Sequence, residues 1–173
     1  MRYWKKESGG SGGIDYLFSD FNSDGYPSKL KIDTDIIPRY AFNNNGNSTH
    51  TLMLFSKMTN IDIKANSCGY NAFNKTFYSN SESIKIKLRV SNIECPMFDY
   101  ITNANGIKVW LSNEVTSIDS YLGDFTNNGG INLYCETDSK PTGWYNYWNC
   151  RYLSSSVVYT TMWGVSESAF DAL

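Results

Sequence analysis

Glutamine is missing altogether from this 173-residue chain, and histidine occurs once, at His50. The skew toward Asn over Gln fits an AT-rich coding sequence better than any physical cause. The lone histidine, with no C-x-x-C spacing among the cysteines, excludes a zinc site of the usual Cys/His kind. Charge is sparse as well. Only 18% of residues are charged and the net charge is -2, so the chain lacks the basic face that a nucleic-acid backbone requires, and no nucleic-acid partner is expected. No apolar run approaches the roughly 18 to 20 residues of a membrane span, so none is expected to cross a bilayer, and the N-terminus lacks the apolar stretch of a signal peptide. Read as a native start, Met1 implies synthesis without a secretion signal; read as an engineered one, it implies nothing.

What is present describes a folded protein with an uncharged polar surface. Hydrophobic residues make up 41% and aromatic residues 16% of the chain, more than a disordered chain carries. The length suits one domain with a core of its own. The clearest periodic segment is Ser83 to Ser91, where Ile84, Ile86, Leu88 and Val90 alternate with Lys85, Lys87 and Arg89. Such alternation predicts a strand with one buried and one wet face. Weaker runs of the same kind begin at Lys29, Thr51, Ile61, Ile107, Ile131 and Val157, separated by Asn- and Gly-rich turn clusters. Short helices are expected near Ser117 and from Ser166, which is placed to act as an N-cap. With no internal repeat visible, these elements predict an all-β protein, a single β-sandwich or jelly roll over residues 14–173, with a short C-terminal helix.

Residues 1–13, "MRYWKKESGGSGG", read as a flexible basic and aromatic arm on a Gly/Ser tether. Arg2, Lys5 and Lys6 against Glu7 leave it positive, and Tyr3 and Trp4 are its candidate anchors on a neighbouring subunit. An added tag and linker is the rival origin of the same residues.

The stretch from Asp20 to Lys29, "DFNSDGYPSK", spaces Asp20, Asn22 and Asp24 as the first ligands of a calcium loop, with Gly25 at the sharp turn. Ser28 and Lys31 then stand where an EF-hand needs its remaining ligands, so calcium would have to draw on Asp33 or Asp35; the alternative is an Asx-rich turn. The same stretch resembles the D-x-N-x-D-G loops of integrin-type propeller repeats over about ten residues, with no second copy. Cys68, Cys95, Cys135 and Cys150 allow three disulfide pairings, the sequential one being Cys68 with Cys95 and Cys135 with Cys150; buried free thiols are the alternative.

The densest aromatic segment, "GWYNYWNCRY" from Gly143, offers Trp144, Tyr145, Tyr147, Trp148 and Tyr152 as a subunit interface, as a stacking platform for sugars, or as core. His50 has no partner in a triad-like spacing, Glu94 beside Cys95 and Glu136 beside Cys135 make no acid/base pair, and "SGGSGG" lacks the Lys-Ser/Thr of a phosphate loop. Asn47 and Asn74 head glycosylation sequons that count only on a eukaryotic secretory route. The expectation is therefore a non-enzymatic structural protein of a virus or phage particle that packs against copies of itself or other structural subunits. The alternative is a carbohydrate-binding adhesin domain, calcium-stabilised or not. Either use places the chain in a virion or at an extracellular surface.

Overall fold

A computed structural model describes residues 16–21, 27–42, 57–73, 83–101, 106–125, 131–149 and 159–173. Among the described residues the main sheet has eight strands. β1 (Tyr16–Phe21) is antiparallel to β2 (Pro27–Ile37). From β2 onward the pairing is parallel, through β3 (Asn60–Cys68), β4 (Ile84–Ile93), β6 (Ile107–Leu111), β9 (Ile131–Cys135) and β10 (Tyr159–Met162). The two-residue β7 (Ser117–Ile118) pairs with the end of β4. A second sheet joins β5 (Phe98–Ile101) to β8 (Gly123–Phe125), also in parallel.

This arrangement corrects the sandwich and jelly-roll expectation, both of which are built from antiparallel sheets packed face to face. Here each long strand lies beside the next one in the chain. Paired residues are 31 apart from β2 to β3 (Lys29 and Asn60), 25 from β3 to β4 (Asn60 and Lys85), 23 from β4 to β6 (Ile84 and Ile107), 24 from β6 to β9 (Ile107 and Ile131) and 28 from β9 to β10 (Ile131 and Tyr159). Parallel strands are usually joined by helical crossovers, as in α/β proteins. Among the described residues the connections hold no helix and instead contain the short strands β5, β7 and β8. The chain thus winds in successive coils, a solenoid whose core is a stack of equivalent inward positions.

In-register pairing makes those positions into ladders. Leu30, Ile61, Ile86, Val109 and Leu133 form one rung-to-rung column, and Ile32, Ile63, Leu88, Leu111 and Cys135 the next. Every member is buried. The intervening residues of β2, β3 and β4, which are Lys, Asp, Asn, Arg and Ser, face outward. This explains the polar–apolar alternation: one face of the sheet lines the coil interior and the other meets solvent.

The helix predicted near Ser117 is absent, because Ser117 and Ile118 continue the ladder beside Asn92 and Ile93 and residues 123–125 pair with β5. The C-terminal helix lies where the sequence placed it, as α1 (Glu167–Asp171), with the Ala169 amide donating to Ser166 Oγ at 3.3 Å. It packs on the outer sheet face, where Phe170 meets Tyr134 at 5.3 Å between ring centroids and joins Trp110 in a second apolar cluster. The strand expected from Thr51 falls largely outside the described residues.

Candidate functional site

The aromatic segment from Gly143 divides between core and surface. The main chain runs close against β7: Tyr145 N donates to Ile118 O at 2.8 Å, and Ile118 N to Gly143 O at 3.4 Å. Gly143 is required by this approach, since a Cβ there would stand 2.2 Å from Thr116 O. Trp144 turns inward and its indole N–H finds an acceptor in Val115 O at 2.9 Å, which satisfies the polar end of a buried ring. Trp148 is buried beside it, and the partly buried Trp163, just after β10, packs against both at centroid distances of 6.1 and 5.9 Å. The three indoles fill the core beyond the aliphatic ladders.

Trp144 and Trp148 are therefore core residues rather than contact residues. The intervening Tyr145 and Tyr147 project outward, 47% and 72% exposed. Their rings meet edge to face at 6.0 Å, leaving an aromatic pair at the surface. Position in a turn separates the two sets: Trp144 and Trp148, four apart, lie on its inward side with the exposed residues 145–147 between them, and Trp148 N donates to Tyr145 O at 3.2 Å. Tyr152, the remaining residue of the segment, lies outside the described residues, as do Tyr3 and Trp4.

Of the calcium-loop residues, Asp20 belongs to β1, and Asn22 and Asp24 lie outside the described residues. No group of three potential metal ligands occurs among the described residues. Cys68, Cys95 and Cys135 are free and buried, so the sequential Cys68–Cys95 bridge is not formed; Cys150 lies outside the described residues. Burial pushes all three thiols up, Cys95 and Cys135 to about 12. Thiols held so far toward the neutral form are poor nucleophiles. His50 and both sequon asparagines lie outside the described residues. Glu94 instead pairs with Arg39 at 2.8 Å, and Glu136 accepts from the Asn113 amide at 2.9 Å, both structural uses of a carboxylate.

Sequence reasoning passed over the outer sheet face, where side chains from separate coils come together. Asp33, Asp35, Lys64, Asn66, Ser91 and Glu114 line an open groove of about 510 Å³. Within it Asn66 Nδ2 donates to Asp35 Oδ1 at 3.3 Å. Nearer α1, Arg89 is held between Asp62 and Glu167, and Lys87 reaches Glu167 at 3.0 Å and Asp171 at 3.1 Å. Burial lowers the affinity of Arg89 for its proton, but the two carboxylates outweigh it and the guanidinium pKa ends above its ordinary value. The polar alternation of Ser83 to Ser91 was the available signal, since in-register stacking turns each strand's wet positions into columns.

The fold and these surfaces define a parallel β-solenoid with an exposed tyrosine pair and a charged outer face. Compared with known proteins, the chain matches no family model, no curated protein and no solved structure. Among the described residues, no helix is long and apolar enough to cross a membrane.

Proposed function

We propose that this chain is a non-enzymatic structural module that works by packing into a larger assembly, as a component of a virus or phage particle. The observation that carries the reading is the terminal strand β10. It pairs with β9 along Tyr159 to Met162, and no other described strand lies against its far side. A solenoid transmits its ladder to whatever pairs next, and an open strand edge is a template for another chain. The basic, aromatic arm of residues 1–13 supplies a tethered anchor for the same purpose.

The test is the native mass of the full chain and of a form lacking residues 1–13, by light scattering behind a sizing column. An oligomer that falls apart without the arm supports the assembly role. Monomers in both cases overturn it.

A second reading, a carbohydrate-binding adhesin domain, is favoured by one feature, the exposed ring pair of Tyr145 and Tyr147. Aromatic faces beside Asn146 and Asn149 suit sugar rings and their hydroxyls. Saturable binding on a glycan array that disappears in Tyr147→Ala would establish it over the first.

A further inference from the structure

The helix α1 lies over β4, β6 and β9 as a ligand lies in a site, and the fit has a geometric cause. Alternate residues of a strand stand about 7 Å apart, and residues four apart on a helix are separated by a rise of about 6 Å. Lys85, Lys87 and Arg89, at alternate positions of β4, therefore match Glu167 and Asp171, four apart on α1. Glu167 accepts from Arg89 and, at 3.0 Å, from Lys87; Asp171 pairs with Lys87 at 3.1 Å, and Lys85 Nζ donates to Asp171 O at 3.3 Å. Between the two carboxylates Phe170 turns down beside the row that Lys87, Trp110 and Tyr134 form across three strands, where it is fully buried.

The tether does less than the seat. After β10 the chain turns at Gly164, whose φ of 71° lies in the left-handed region that glycine enters at no steric cost. Val165 is then held at both ends of its backbone, its N–H donating to Cys135 O at 2.9 Å and its carbonyl accepting from the Trp110 indole at 2.8 Å. Five helical residues have little stability of their own, so the face orders α1 rather than the reverse. The occupant that the face fits is thus known: residues 165–173, "VSESAFDAL". Every copy of the chain carries that segment, and an element that packs on its own chain packs with the same contacts on an identical one. The segment also follows directly on β10, whose far edge no other described strand covers, so a copy laid against that edge meets the start of this tail.

We propose that the outer face of β4, β6 and β9 is a docking site between copies of this chain, on which residues 165–173 of one copy seat in place of the neighbour's own α1. Such an exchange rests on the assembly reading and gives it a surface and an occupant. No group changes its kind of partner: Lys87 and Arg89 keep carboxylates, and Trp110 and Tyr134 keep a phenyl ring.

The test uses full chains with complementary defects. In Phe170→Ala the tail loses its anchor and leaves the face vacant; in Lys87→Glu the face repels Glu167 and Asp171 and sets an unaltered tail free. Fluorophore-labelled Lys87→Glu is titrated with Phe170→Ala and, separately, with the wild-type chain, and anisotropy is followed. A saturable rise is expected with Phe170→Ala, with an apparent affinity at least about tenfold weaker for the wild-type chain, whose face is already occupied. Excess synthetic peptide of residues 165–173 should reverse the rise, and the same peptide carrying Phe170→Ala should not. Glu167→Lys, which repels Lys87 and Arg89 and leaves the aromatic cluster in place, should act as Phe170→Ala does, so the result does not hang on the fold of one variant. No rise with either tail-defective chain, an equal rise with the wild-type chain, or a rise that the peptide fails to reverse would overturn the proposal. Any of these beside an arm-dependent oligomer in the native-mass measurement would leave the assembly reading standing without this contact.

Discussion

Trp144 and Trp148 pack edge to face with ring centroids 4.6 Å apart, while Tyr145 and Tyr147 between them point away from the core. One short segment thus serves stability with two residues and presents a surface with two others. Trp148→Ala should cost about 3–5 kcal/mol, the range for truncating a buried aromatic ring. Tyr147→Ala should change stability by no more than about 0.5 kcal/mol, as a surface substitution. Urea unfolding midpoints of the two variants check the division, and equal midpoints would refute it.

The same segment depends on Gly143. A methyl group there would collide with Thr116 O at 2.2 Å, and neither the carbonyl nor the coil behind it can give way cheaply. Gly143→Ala should therefore destabilise by at least about 1–3 kcal/mol, as overpacking does. The exposed Ser139→Ala, a few residues upstream, should be nearly silent in the same unfolding measurement.

Strand positions were legible in the sequence; strand partners were not. The runs from Lys29, Ile61, Ile84, Ile107, Ile131 and Val157 all contain strands of the sheet, because a residue pattern of period two reports a half-buried strand whatever lies beside it. Parallel sheets buried on both faces read as unbroken apolar runs, so alternation pointed to antiparallel layers. A solenoid breaks that association, since its parallel strands keep one face in the coil interior and the other in water. Spacings of 23 to 31 residues between paired strands are too uneven to show as a sequence repeat, and the ladder Leu30, Ile61, Ile86, Val109, Leu133 shares size and polarity rather than identity. The outer-face ion pairs were hidden for the same reason, as Arg89 and Glu167 lie 78 residues apart.

The helix α1 closes over Trp110, whose indole N–H donates to Val165 O at 2.8 Å and whose ring lies 5.7 Å from the Arg89 guanidinium. Five helical residues have little stability of their own, so packing of Phe170 must hold them. Phe170→Ala should release α1 locally while the sheet stays folded, because the weakest unit opens first. Acrylamide quenching of tryptophan fluorescence should rise in native buffer as Trp110 becomes accessible. Glu167→Gln, which leaves Arg89 with Asp62 and Lys87 with Asp171, should produce a smaller rise of the same kind. Quenching unchanged in both variants would show that α1 does not depend on these contacts.

The buried thiols tie stability to alkaline pH. Cys68 and Cys135 are fully buried and Cys95 is 6% exposed, and desolvation of the thiolate raises all three, Cys95 and Cys135 to about 12. An unfolded thiol titrates near pH 8.5. Above that value the unfolded chain gives up protons that the folded chain retains, so the unfolded state binds fewer protons and stability falls as pH rises. The contribution is fully present below about pH 8.5 and is lost progressively toward pH 12. At pH 10 the loss should be about 2 kcal/mol per thiol, from roughly 1.4 kcal/mol per pH unit. Lys87 works in the same direction, since burial lowers its pKa but its bonds to Glu167 and Asp171 raise it further. Thermal melts from pH 7 to 10 should show a steady fall above pH 8.5, reduced when Cys68 is replaced by the similarly small Ala. A transition that holds its temperature across that range would mean that the thiols ionise as readily inside the coil as outside it, and that the core around them admits water.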